Sequence, residues 1–362
     1  MKIGNLDLGK RLLLAPMADV TDSSFRKIAK DYGAGLTFTQ MVSAKGIIEN
    51  QFETLRLLSF HKSEKPVGVQ ILGKDPDLIR QAVTEIKNLK PDMIDLNCGC
   101  SVEKVTKYGM GSSLLEQPKL LGEIVRAMVA AAGEIPISIK IRLGKNPGKI
   151  NVLENAKIIE DNGATLLTVH ARTSVDSYET DVNWEWIGKV KENVSIPVVG
   201  NGSCFNIEDI TELLKKTGCD SVMLARGALG NPFIFSRYNT LAETGVDPGV
   251  PSVKDVRDTI LKHFEYLIRD FGEVVALSKA KKHAIWYFKT FTGISWFVDK
   301  VLSIQDKDAF KSLVFDHTGK IENDEFPDEN LEIINKNFKN KVLFWLKEFS
   351  DDDLTLTNQA IV

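Results

Sequence analysis

Eight short β-rich runs, separated by amphipathic helical stretches, fill the first ~235 of the 362 residues. That alternation restricts the chain to a parallel sheet with helices outside it. The runs are Leu12–Ala15, Leu36–Met41, Val67–Leu72, Met93–Asn97, Ile137–Arg142, Leu166–His170, Ile196–Gly200 and Ser221–Ala225. Helical patterns lie between them at Pro76–Asn88, Pro118–Ala132, Val152–Asn162 and Ile207–Lys216. Eight β/α units in this length predict an α/β chain folded as a (β/α)8 TIM barrel. An open doubly wound sheet is the alternative. Polar residues trail nearly every strand instead of gathering at one crevice, which favours the barrel.

Beyond the eighth unit the texture changes. Gly245, Pro248, Gly249 and Pro251 mark a linker between Glu243 and Ser252. We therefore expect a barrel over residues 1–245, a smaller helical domain over 250–350 and a flexible tail over 351–362. In the helical part, Val253–Phe271, Val274–Phe291 and Asn330–Phe349 read as helices, with an acidic irregular stretch at Asp306–Asn330. A net charge of −3 excludes wholesale coating of nucleic acid, leaving room only for a local basic face. Four cysteines are too few for a disulfide framework, and none pair with zinc-site spacing, so no metal is expected. Without an apolar leader or a membrane-spanning run, the expected setting is the reducing cytoplasm.

The strand ends carry the chemistry. Asn97-Cys98-Gly99-Cys100 closes the fourth run, placing a thiol beside an amide and a glycine at the edge where barrels collect reacting groups. Pro16 and Met17 end the first run and Gln70 sits on the third. Lys140 and Arg142, two apart on the fifth, share one face, and His170 followed by Arg172 ends the sixth. Gly200-Asn201-Gly202 and Arg226-Gly227-Ala228-Leu229-Gly230 follow the seventh and eighth, where barrel loops commonly bind phosphate. A neutral amide, a cation and an imidazole around one mouth suit a flavin ring, whose reduced anionic form Lys140 can stabilise.

Taken in order, Ala15-Pro16-Met17-Ala18, Thr21-Asp22, Met41-Val42-Ser43-Ala44, Gln70-Ile71-Leu72-Gly73, Asp95-Leu96-Asn97-Cys98-Gly99-Cys100, Lys140-Ile141-Arg142-Leu143-Gly144, His170-Ala171-Arg172-Thr173 and Arg226-Gly227-Ala228-Leu229-Gly230 resemble the tRNA-dihydrouridine synthase family. The likeness resumes at Lys282-His283 and Trp286-Tyr287. It implies an FMN-dependent flavoprotein oxidoreductase with an RNA-binding helical domain, reducing uridine to 5,6-dihydrouridine in tRNA with NADPH. By resemblance, hydride passes from flavin N5 to uracil C6 and Cys100 protonates C5. Pro16, Met17, Gln70, Lys140, His170, Asn201, Gly202, Arg226 and Gly227 match cofactor contacts. Asn97, Lys104, Arg142 and Arg172 at the mouth, with Lys282, His283 and Lys289 in the helical domain, are the RNA contacts expected. The target base, stacked in folded tRNA, must be turned out to react.

Four departures from the family pattern stand out: Asp19 for Gly, Gln40 for Glu, Ser101 for Pro after Cys100, and Tyr178–Trp184 without the usual Gly and Asp. Two other readings compete: a flavin oxidoreductase acting on a free pyrimidine or other small molecule, and a non-catalytic RNA-binding homologue. The sequence leaves the modified uridine, the choice of NADPH or NADH and the oligomeric state open, a monomer included.

Overall fold

A computed structural model describes residues 1–331 except 5, 10 and 11. By their internal contacts the described residues form two units, Met1–Gly227 and Ala228 onward. The first opens with a hairpin, β1 (Lys2–Ile3) and β2 (Leu6–Asp7). Nine strands follow: β3 (Leu13–Leu14), β4 (Thr37–Phe38), β5 (Val42–Ser43), β6 (Val67–Leu72), β7 (Met93–Cys98), β8 (Ile137–Arg142), β9 (Leu166–His170), β10 (Val198–Asn201) and β11 (Ser221–Leu224). Their order is β3-β11-β10-β9-β8-β7-β6-β4, with every pair parallel. A parallel bridge between Leu13 and Leu36 closes the ring, with Leu14 N–H donating to Leu36 O at 2.9 Å. The expected barrel is therefore the fold.

The barrel has an apolar floor. Leu13, Ala15, Leu36, Phe38, Met93, Leu166, Val199 and Met223 pack inside it, and Ile3 and Leu8 from the N-terminal segment join the same cluster. The Phe38 ring occupies the space beside Gly68, where an added Cβ would lie 2.5 Å from it. Strands such as β6 and β7 are buried along their whole length, because the helices cover their outer face. Those helices begin as the sequence dictates: Asp75 caps Pro76–Lys87 and Asn206 caps Ile207–Thr217, each accepting backbone N–H groups of the first turn.

The second expected strand, Leu36–Met41, is interrupted. Thr37 and Phe38 pair with Val67 and Gly68, whereas Val42 and Ser43 pair with Ile71 and Leu72. Residues 39–41 thus face residues 69–70, three against two, which is a bulge. The Thr39 hydroxyl still accepts the Gln70 N–H at 3.2 Å, and the bulge leaves Gln40 and Met41 to reach other partners.

In the second unit, helices Phe233–Thr244, Val253–Phe271, Glu273–Phe288, Ile294–Val301 and Lys307–Glu322 are described. The Gly/Pro-rich stretch expected as a linker joins the first two of these. The region expected to be irregular, Asp306–Asn330, is instead largely the helix Lys307–Glu322. Asp306 caps it, and Phe310, Leu313, Val314 and His317 bury one face at helical spacing, so its acidic start favours the helix instead of breaking it. The helix expected at Asn330–Phe349 and the tail lie outside the described residues, apart from Asn330 and Leu331. No helix among the described residues is long and apolar enough to cross a membrane.

Candidate active site

Above the floor, the interior positions of the barrel turn polar. On β7 Asp95 and Asn97 share the inward face with Met93, and on β8 Ser138, Lys140 and Arg142 do the same. Asp95 is buried; Ser138 Oγ donates to its Oδ1 at 2.6 Å and Gln70 Nε2 to its Oδ2 at 2.7 Å. Burial pushes the Asp95 carboxyl up to about 7, against those hydrogen bonds and the nearby Lys140. Gln70 Oε1 in turn accepts Asn97 Nδ2 at 2.9 Å, and Met41 Sδ lies 3.6 Å from the same nitrogen.

Asn97 holds the thiol loop. Its Oδ1 accepts Gly99 N–H at 3.1 Å and Cys100 N–H at 2.9 Å. Arg142 Nε donates to Gly99 O at 2.8 Å and its Nη1 to Thr173 O at 2.7 Å, tying the loop to the segment after β9. Behind it, Ser112 N–H donates to Cys100 O at 2.8 Å. Gly111, at φ 61°, permits that approach, since a Cβ there would lie 2.5 Å from Cys100 O. Cys100 is half-buried, and burial raises its thiol above the usual range despite Val102 N–H, Arg142 and Lys140. It is therefore a protonated thiol at neutral pH.

Positive charge converges on the mouth. Burial, and after it the nearby Lys140, Arg142, Arg172 and Arg226, hold the His170 imidazole well below its usual range. Arg172 Nη1 lies 3.3 Å from His170 Nε2. A guanidinium only donates, so Nε2 accepts and Nδ1 carries the ring proton. Lys140 is half-buried, and burial together with Arg142 lowers its ammonium to about 8. Cations gathered this closely call for an anionic ligand.

The last two loops supply backbone for such an anion. Gly202 (φ 134°) and Ser203 (φ 51°) turn the chain after β10. Gly227 packs against the same loop so tightly that a Cβ would lie 2.1 Å from Cys204 O. Asn201 Nδ2 donates to Met223 O at 2.8 Å, locking β10 to β11. Arg226 lies between the rings of Tyr178 (5.0 Å) and Phe205 (5.2 Å). Pro16 and Met17, both half-buried, end β3.

Several expected RNA contacts are placed otherwise. Arg142 and Arg172 are buried, and Arg172 donates inward to Thr180 O, Tyr178 O and Ser203 Oγ at 2.8, 3.1 and 2.9 Å. Both guanidinium groups hold loops together. His283 is buried against His263 and Trp286, and Trp286 itself is buried, so that helix face points into its own unit. Lys289 Nζ donates to Leu229 O at 2.6 Å, and Lys282 Nζ lies 5.1 Å from the Trp286 ring centroid. Lys104 is exposed. Asn97 is buried with its amide engaged on both sides.

Two departures prove to be paired. Asp19 adopts a left-handed backbone at φ 58°, which explains a preference for Gly there, and its N–H donates to Gln40 Oε1 at 2.7 Å. Asp95, Ser138 and the positioning role of Arg142 were missed in the sequence. The signal was present: Asp95 and Asn97 are two apart on one strand, and a carboxyl on a barrel's inner face needs partners.

Residues 13–321 match the profile of the family described as dihydrouridine synthase. A protein of Rickettsia prowazekii (strain Madrid E) named probable tRNA-dihydrouridine synthase is 34% identical over 315 residues, covering 87% of this chain and 96% of its own length. The Pasteurella multocida (strain Pm70) protein named tRNA-dihydrouridine synthase B is 36% identical over 289 residues, covering 80% and 87%. Among solved structures, histamine dehydrogenase from Rhizobium sp. 4-9 superimposes with a TM-score of 0.52 at 15% identity, over 74% of this chain and 50% of that larger one. That likeness is one of fold.

Proposed function

The chain belongs to the dihydrouridine synthase family, and from that premise we infer that its barrel mouth reduces uridine in tRNA to dihydrouridine, with Cys100 as the proton donor. The observation that carries the assignment is the thiol itself. Cys100 is protonated by burial and held from its own backbone by Asn97, beside a cluster of cations.

The residues present fit FMN. Backbone N–H groups of the Asn201–Ser203 and Arg226–Ala228 turns, with Arg226, suit its phosphate, and Gly202 and Gly227 keep that cradle free of side chains. Lys140 and neutral His170 suit the polar edge of the ring, with Gln70, Pro16 and Met17 alongside. FMN bound there would supply the hydride chemistry, with NADPH as the reductant.

The protein's own residues do the rest. Cys100 Sγ–H delivers its proton to C5 of the uracil as C6 is reduced, so the thiol must start neutral, and burial keeps it so. Asn97 and Arg142 fix the loop so that the sulfur does not wander. Lys140 offsets negative charge that accumulates during reduction. Exposed Lys104 beside this loop, and half-buried Lys282 in the second unit, are assigned to the RNA backbone, whereas Lys289 is engaged by Leu229 O.

Unmodified tRNA, NADPH and purified flavin-loaded protein test the assignment directly. Wild type should form dihydrouridine. Cys100→Ala should keep its flavin absorbance yet lose turnover by about a hundredfold or more, the usual worth of a general acid. Wild-type turnover in that variant would remove the thiol from the reaction. Rapid turnover on free uracil with none on tRNA would favour a small-molecule oxidoreductase instead.

A further inference from the structure

We propose that Asp95 is a positioning residue for Cys100, acting through the ordered amides of Gln70 and Asn97. The proposal rests on the reading of Cys100 as proton donor and deepens it.

The three side chains form one directed chain. An ionised carboxylate only accepts, so Asp95 Oδ2 obliges Gln70 to present Nε2 at 2.7 Å. That leaves Gln70 Oε1 facing Asn97, which must then present Nδ2 at 2.9 Å. Asn97 has only Oδ1 left for the loop, and Oδ1 is the atom that two backbone N–H donors, of Gly99 and Cys100, require. Each amide has two possible orientations, and the chain is fixed from both ends, by a carboxylate that only accepts and by two backbone N–H groups that only donate. Were Gln70 to turn over, its Nε2 would face Asn97 Nδ2, and Asn97 would have to give up either that bond or its hold on the thiol loop.

Asp95 is itself anchored. Ser138 Oγ donates to its other oxygen at 2.6 Å, and the pairing Asp95↔Ser138 in β7–β8 places both on the barrel's inner face. Gln70 pairs with Asp95 across β6–β7 in the same layer. Three neighbouring strands thus hold the start of the chain rigidly, while its far end lies on the loop that carries the sulfur. Burial raises the Asp95 carboxyl to about 7, and the protonated acid can place its hydrogen on the oxygen facing Ser138, whose hydroxyl then accepts. The oxygen facing Gln70 remains an acceptor in both forms.

Three substitutions separate this role from a merely structural or electrostatic one. Asp95→Asn keeps an acceptor toward Gln70 and can donate to Ser138, so it should rescue the order. Asp95→Leu, of similar size, removes the acceptor; Asp95→Thr, friendlier to a strand, substitutes a hydroxyl that lets Gln70 turn over. Two readouts apply. The first is iodoacetamide alkylation of Cys100 in the substrate-free protein, followed by peptide mass spectrometry; the other three cysteines are buried. The second is kcat against KM for tRNA reduction.

For Asp95→Leu we expect the alkylation rate to change by about tenfold, and kcat to fall about tenfold with KM within about twofold. Asp95→Asn should stay within about twofold of wild type in both. If Asp95→Leu does not fold, Asp95→Thr should shift alkylation by more than about threefold. A folded Leu or Thr variant with wild-type alkylation and kcat overturns the proposal. So does an Asn variant that falls as far as Leu, since charge and not orientation would then be the cause. Alkylation does not require Cys100 to be catalytic, so a fully active Cys100→Ala would sink the proton-donor reading alone.

Discussion

At the scale of single residues, burial decides which groups carry charge. Cys100 keeps its proton because it lies out of water, against the pull of Arg142 and Lys140; His170 remains neutral because burial and the surrounding cations both disfavour its charge, and Lys140 is brought to about 8. The same rule applies to His317, far along the chain in the second unit. It is fully buried among Phe288, Phe297, Trp296 and Phe326, and neither ring nitrogen has a hydrogen-bond partner among the described residues. Burial lowers its imidazole from 6.5 to about 4. The unfolded chain therefore takes up this proton near pH 6.5, and the folded protein only near 4. Stability is full above 6.5 and declines as pH falls through that window. Urea titrations at pH 7 and pH 5 should show His317→Leu losing about 2 kcal/mol less than wild type over that interval. Equal losses would mean that His317 does not titrate differently in the two states.

At the scale of elements, strand ends and the turns after them build the site. The loops after β10 and β11 meet backbone to backbone at Gly227 and Cys204, a contact that no side chain tolerates. Gly227→Ala must push them apart, at a cost of about 1–3 kcal/mol. Flavin affinity, followed by absorbance on dilution, should weaken about tenfold while the circular dichroism of the barrel persists. Unchanged affinity would place the phosphate elsewhere. The strand runs were legible because parallel strands are apolar on both faces. The two-residue β4 was not, since its break at residues 39–41 depends on the register of β6. The helix Lys307–Glu322 was overlooked although Phe310, Leu313, Val314 and His317 carry its spacing, because acidic residues at its start and end masked the stripe.

At the scale of the whole molecule, a net charge of −3 means that RNA must be held by a patch. Lys104 belongs to that patch on the present assignment. Lys104→Ala should weaken tRNA binding and lower the slope of log affinity against log salt by about one, measured by filter binding. Cys100→Ala should leave that slope unaltered. An unchanged slope in the Lys104 variant would take that residue out of the RNA interface.

The amino-acid order alone determined the eight-strand alternation, the thiol at the end of the fourth run and the paired glycine loops, because each depends on local periodicity or on a residue's own chemistry. It also carried the family, through motifs kept in sequence. Only the tertiary structure decided that Arg142, Arg172 and His283 face inward, that Asp19 leans on Gln40, and that Asp95 is linked to the Cys100 backbone N–H through two amides. Those relations join residues on different strands and loops. A side chain's charge is written in the sequence, but the partner that uses it is set by which elements the closed barrel brings side by side.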